Sequence, residues 1–138
     1  MTHTLETLLP LLDKDGNPIN QEASDKLQVW AAELDGWRLV KGDKSFKTPD
    51  LWVKDNVWYQ LEDAPHYPTS LDAIYAAEKR AGLHDDEEYD LQEKWFRFAD
   101  TLFHRLTSRF LNYRDVAFLT PAQRTVILIL TLQQKQTL

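Results

Sequence analysis

Two short apolar runs separated by Asp55-Asn56 set the strongest limit on how this chain folds. Leu51-Trp52-Val53 and Val57-Trp58-Tyr59-Gln60-Leu61 are rich in β-branched and aromatic residues, and a two-residue turn between them pairs Val53 with Trp58 and Trp52 with Tyr59. Side chains alternate across a strand, so one face carries Leu51, Val53 and Trp58 and the other Trp52, Val57, Tyr59 and Leu61. Both faces are apolar. A sheet with one wet face alternates apolar and polar residues, so this one is expected to be covered by helices on both sides. Trp37 to Val40 supplies a further antiparallel strand before the turn-forming run 41–50, and Val116 to Leu119 a fourth.

The covering helices are legible from their spacing. Ala23, Leu27, Trp30, Ala31 and Leu34 form one stripe, with Asn20 placed to cap its start and Gly36 to end it. Pro68-Thr69-Ser70-Leu71-Asp72 reads as a second start, with Thr69 as N-cap and Asp72 in capping-box spacing, and Gly82 closes that helix. Leu91, Trp95, Phe98, Ala99, Leu102, Phe103 and Leu106 define a long amphipathic helix. Thr120-Pro121-Ala122-Gln123 is another capping box with Pro at N1, opening a helix whose Val126-Ile127-Leu128-Ile129-Leu130 is apolar nearly all round and must be buried. The fold class expected is α+β, a three-layer α-β-α sandwich around a small, mainly antiparallel sheet of about four strands. Residues 1–19, interrupted at Pro10, form an N-terminal arm that packs on the body; 20–133 are a single domain and 134–138 a C-terminal tail.

Composition removes several functions. The chain of 138 residues has no cysteine, which excludes disulfides, thiolate metal sites and cysteine nucleophiles. Its longest apolar run, Val126 to Leu130, falls far short of the ~20 residues that span a bilayer, and Met1 to Gly16 lacks the basic region and cleavage site of a secretory leader. A cytoplasmic protein that engages no membrane is expected. The net charge of -6 hides a segregation: residues 1–93 hold 9 basic and 20 acidic side chains, residues 94–138 hold 7 and 2. Generic binding to duplex DNA is disfavoured, and the halves either compensate within the fold or present an acidic surface to one partner and a basic one to another.

Chemical motifs are few. Asp13-Lys14-Asp15-Gly16-Asn17 imitates the opening of an EF-hand loop, but Pro18 stands where its glycine belongs and Ser24 where its bidentate glutamate belongs, so a turn is expected and not a calcium site. His84 and the acids after it do not converge on a point when adjacent on a helix, so no metal is expected there either. Asp85, Asp86, Glu87, Glu88 and Asp90 read as a solvated helix start or as an acidic patch that docks a basic partner. His104 and Asp100 have i, i+4 spacing, which fits a surface pair. His66 and Tyr67 precede a helix N-terminus, where backbone N–H groups bind anions; that loop either caps the helix and buries Tyr67, or forms with Thr69 the edge of a ligand crevice. Trp30, Trp52, Trp58 and Trp95 fall on apolar faces and belong to the core, whereas Trp37 beside Arg38 has the make-up of an exposed interface anchor.

The residues Gly36-Trp37-Arg38-Leu39, Trp58-Tyr59, Pro65-His66-Tyr67-Pro68-Thr69-Ser70-Leu71-Asp72-Ala73-Ile74 with Ala77-Glu78-Lys79, and Thr120-Pro121-Ala122-Gln123-Arg124 together resemble the phage ABA-sandwich family, over roughly residues 24–132. The resemblance implies an α-β-α sandwich and a phage or prophage origin, hence the cytoplasm of a bacterial host. It implies no activity, catalytic residue or cofactor. The chain departs from the family pattern in its acidic insertion around Asp85 to Asp90 and in a more apolar final helix.

Two functions fit these residues. One is a non-catalytic binding protein, unknown in partner and function beyond stoichiometric contact with a host or phage protein, in countering host defence. The other is a binder of, or enzyme acting on, a small anionic, nucleotide-like ligand, with Trp37, Arg38, His66, Tyr67 and Thr69 at its crevice. A homodimer is compatible with both.

Overall fold

The computed structural model describes residues 3–60, 65–84 and 89–136. In chain order they form α1 (Leu5–Leu8) running into a 3-10 turn (Leu9–Leu11), α2 (Gln21–Leu34), β1 (Arg38–Val40), β2 (Leu51–Lys54), β3 (Val57–Gln60), α3 (Leu71–Arg80), α4 (Tyr89–Thr107), the short α5 (Tyr113–Val116) and α6 (Pro121–Gln136). The protein is α+β, with six helices and one three-stranded antiparallel sheet among the described residues.

The centre of the molecule is a helix. Every residue from Ala122 to Leu132 is buried, and α1, α2, α3 and α4 all pack on α6. Its start is the expected box: Thr120 Oγ1 accepts from the Gln123 N–H (3.0 Å) and Gln123 Oε1 accepts from the Thr120 N–H (2.8 Å). Asn20 caps α2 by accepting from the Ala23 N–H at 2.8 Å, and α2 gives way to β1 through Gly36 at φ +97°, a left-handed conformation that favours glycine. The arm is part of the core, since Leu5, Leu8 and Leu12 are buried. The residues assigned to a tail continue α6 as far as Gln136.

The sheet has order β1-β2-β3, with Trp52 opposite Tyr59 and Val53 opposite Trp58 as the turn arithmetic required; Asp55 and Asn56 both have positive φ. Its two faces are not equivalent. Leu39, Trp52 and Tyr59 lie side by side against the core, whereas the opposite face presents Arg38 and a Trp58 that is 56% exposed. Val53 is buried between those two neighbours but stands outside the main apolar cluster. The expected core position of Trp58 is therefore corrected: with α6 at the centre the helices spend their apolar faces on one another, and the described ones leave this face of the sheet open. Leu61 lies outside the described residues.

Two local readings also change. Val116 to Leu119 is not a strand: Asn112 Oδ1 accepts from the Arg114 and Asp115 N–H groups (2.9 and 3.1 Å) and Asp115 Oδ2 accepts from the Asn112 N–H (3.1 Å), a capping box that winds α5. The cap of α3 is Ser70, which accepts from the Ala73 N–H at 3.2 Å, not Thr69. His66 O accepts from the N–H groups of both Thr69 and Ser70 (3.2 and 2.8 Å), so Thr69 belongs to the turn before the helix.

Candidate functional site

Asp35, at the C-terminal end of α2, gathers the polar groups of three other segments. Its side chain is only 6% exposed. The Tyr67 hydroxyl donates to Asp35 Oδ2 at 2.6 Å, and Arg80, in the last turn of α3, donates through Nη2 at 2.5 Å and Nε at 3.3 Å. Lys54, the last residue of β2, donates through Nζ to the Asp35 carbonyl at 2.8 Å and lies 3.5 Å from Oδ2. The same ammonium sits 5.4 Å from the centre of the Trp37 ring, and Trp37 packs edge-on to Tyr59. Gln28 completes the support by accepting the Tyr67 N–H at 2.8 Å and donating to the Pro65 carbonyl.

Burial, and then the hydrogen bond to the Asp35 carboxylate, push the Tyr67 phenol well above the usual tyrosine range, so it stays neutral. Asp35 likewise strengthens Arg80's hold on its proton. The open side of the cluster is a cleft of about 510 Å³ lined by Leu34, Asp35, Gly36, Lys54, Arg80, Ala81 and Leu132.

Of the residues singled out in the sequence, Trp37 and Tyr67 are thus brought together, but as buried supports. Trp37 is 8% exposed, which removes it as a surface anchor: Tyr59 and Lys54 cover it. Tyr67 is fully buried, so a ligand at the start of α3 would meet the exposed His66 and Thr69 without the Tyr67 ring. Arg38 is exposed on the outer face of the sheet. Asp90 is exposed in the first turn of α4, while Asp85, Asp86, Glu87 and Glu88 lie outside the described residues. Asp13 Oδ1 accepts from the Asp15 and Asn17 N–H groups (2.8 and 3.0 Å), the turn expected there.

Sequence reasoning missed Asp35, Lys54 and Arg80 because nothing local marks them; they are solvent-compatible residues at element ends. It also missed a second cluster that did carry a signal. Glu78 falls four residues after Ile74 on the apolar side of α3, and Arg124 is the charged residue nearest the apolar run of α6. Both are buried and joined: Arg124 Nη1 donates to both Glu78 oxygens (2.9 and 3.1 Å), Nη2 donates to the Val116 carbonyl (3.0 Å), and the guanidinium lies 4.6 Å from the Tyr75 ring centre. His84 approaches the same carboxylate at 3.2 Å.

A different surface is formed where the chain turns back along α4. Ser108, at φ +61°, reverses the direction; Asp100 Oδ1 then accepts the Leu111 N–H at 2.9 Å, and Phe110 stacks on His104 at 5.2 Å. Asp100 is thus spent on the backbone, not on the expected pairing with His104. Leu111, Val116 and Leu119 face inward, while Phe110 and Phe118, 78% and 82% exposed, stand outward with Arg109 and Arg114. Among the described residues neither arginine has a carboxylate partner. A groove of about 400 Å³ runs beside them, lined by Glu93, Phe96, Arg97, Asp100, Leu111, Asn112 and Val116.

No metal-holding group of three or more His, Asp or Glu side chains occurs among the described residues, and none of their helices is long and apolar enough to cross a membrane. Set against family models, curated proteins and solved structures, the chain matches none.

Proposed function

We propose that this chain is a non-catalytic binding protein that acts by stoichiometric contact with another protein through the outward face of residues 109–118. The observation that carries the reading is the exposure of Phe110 and Phe118 beside Arg109 and Arg114. Large apolar rings held in water beside arginines that have no carboxylate partner among the described residues, Arg109 lying over the Phe103 ring, have the composition of interface anchors, which gain most when a partner covers them. The charge segregation adds direction: the basic 94–138 segment supplies this face, so the partner it fits is acidic. The acidic residues Asp85, Asp86, Glu87, Glu88 and Asp90 of the sequence, of which Asp90 is exposed at the start of α4, suit a basic partner.

The phage or prophage origin, the sandwich family, the bacterial cytoplasm and a role in countering host defence belong to the same proposal, and rest on the residue pattern from Gly36 to Arg124 alone.

The test uses tagged parent protein and a Phe110→Ser/Phe118→Ser variant as parallel baits in host lysate, with captured proteins identified by mass spectrometry. A protein retained at stoichiometric levels by the parent and lost with the variant is the expected result. Equal retention by both removes this face from the interaction.

A further inference from the structure

We propose that the cleft beside Asp35 binds a small amphipathic monoanion, a molecule with an apolar body and one singly charged oxyanion headgroup. This site is separate from the protein-contact face and does not rest on it.

Three observations converge on that ligand. Size comes first: about 510 Å³ lies within the range of roughly 300–1,000 Å³ common to small-molecule sites. Polarity is divided in the way such a molecule requires, with Leu34, Ala81 and Leu132 lining the apolar part and Lys54 and Arg80 the polar part. Charge is the third. Lys54 and Arg80 bring two positive charges, Asp35 one negative charge, and Tyr67 none, which leaves one positive charge over. Both α2 and α3 end here, and helix C-termini carry partial negative charge that lowers the excess further. The headgroup that fits therefore carries at most one negative charge and is held by the directed N–H groups of Arg80 and Lys54, not by a surplus of positive charge; a polyphosphate is disfavoured.

The donors for that headgroup exist. Arg80 directs two of its N–H groups to Asp35 and Lys54 directs one to the Asp35 carbonyl and one toward its carboxylate; a guanidinium has five and an ammonium three. The remainder is available to an acceptor in the cleft. Both cations are also held in place before any ligand arrives, because both are anchored on Asp35: Arg80 on its buried carboxylate, which Tyr67 fixes from behind, and Lys54 on its carbonyl. Binding then orders little that is not already ordered.

The probes are octanoate, octanol and inorganic phosphate, titrated into the ¹⁵N-labelled full chain and followed by two-dimensional amide spectra. Octanoate is expected to give saturable shifts concentrated at Gly36, Lys54 and Ala81, octanol to bind at least about tenfold more weakly, and phosphate to shift the same amides only weakly, since it lacks the apolar body. In Arg80→Gln, whose side chain is partly exposed, octanoate affinity is expected to fall about tenfold with the amide spectrum otherwise retained. The proposal is overturned by octanol binding as tightly as octanoate, by shifts centred on Phe110 and Phe118 instead of the cleft, or by no saturation at millimolar octanoate. The first three arms need only the parent protein, so they decide the matter even where the variant is unstable.

Discussion

Arg124 and Glu78, 46 residues apart in sequence, meet inside the protein as a one-nitrogen fork, with Nη1 of the arginine 2.9 and 3.1 Å from the two carboxylate oxygens and neither side chain more than 5% exposed. Two charges taken out of water recover little net stability from their attraction, but either one left alone is costly. Glu78→Leu is expected to lower the unfolding free energy by about 3–5 kcal/mol, by stranding the Arg124 guanidinium against the Val116 carbonyl and the Tyr75 ring. The double variant Glu78→Leu/Arg124→Met is expected to regain most of that loss. Urea midpoints of the two proteins measure it, and a double variant no more stable than the single one would show that packing, not charge, is lost.

Thr120 does two things with one hydroxyl: it accepts the Gln123 N–H and donates to the carbonyl of Gly16, tying the N-terminal turn to the start of α6. Thr120→Val keeps the shape and removes both bonds, at an expected cost of about 1–2 kcal/mol, while Thr120→Ser keeps them and costs less. Gly16→Ala attacks the same junction sterically. At φ +82° a Cβ would stand 2.3 Å from Gln123 Nε2, and an added loss of about 1–3 kcal/mol is expected in thermal denaturation.

The sheet's unequal faces separate two tryptophans that the sequence treats alike. Trp52 is 3% exposed and Trp58 is 56% exposed. Trp52→Ala is expected to cost about 3–5 kcal/mol and Trp58→Ala less than about 1 kcal/mol, with chemical denaturation of both variants as the readout. Comparable losses at the two positions would mean that the outer face is covered in solution.

Tyr67 gives the protein an alkaline limit. Its folded-state pKa is raised, first by burial and then by the bond to Asp35, so the folded state keeps a proton that the unfolded chain gives up near pH ~10. The unfolded state then binds fewer protons, and stability falls as pH rises past that value, while below it the contribution is fully present. In Tyr67→Phe the overall stability is lower, but the part of the alkaline slope due to this group disappears. Unfolding free energies of parent and variant from about two units below the ordinary tyrosine pKa of ~10 to about one unit above it check the sign. Identical slopes would return the alkaline loss to other groups.

How far the sequence could be read depended on the range of the interactions. Asn20, the Thr120 box, the Asp55-Asn56 turn and the apolar stripe of α4 are settled by residues within a few positions of one another, and each is found where spacing put it. The layering was not local. It turned on whether the apolar run of α6 or the two-faced hairpin would take the centre, a competition that periodicity does not rank, and α6 took it. The α5 turn was missed for a smaller reason, since Asn112 and Asp115 form a box of the same kind as Thr120 and Gln123 but were outweighed by the β-branched and aromatic residues after them. Of the candidate sites, Tyr67 was read as buried in one of two alternatives, and the partners that bury it, Asp35 and Arg80, come from elements no local pattern connects.

The helix on which the others close follows them all in synthesis. While α2, α3 and α4 emerge from a ribosome, the side chains of Leu27, Ile74 and Leu102 lack the wall that the buried residues 122–132 of α6 supply. The apolar faces of α2, α3 and α4 therefore stay uncovered on their α6 side until the last helix has been made. A chain ended before residue 121 would lack the helix on which α1, α2, α3 and α4 pack, and with it the centre of the core.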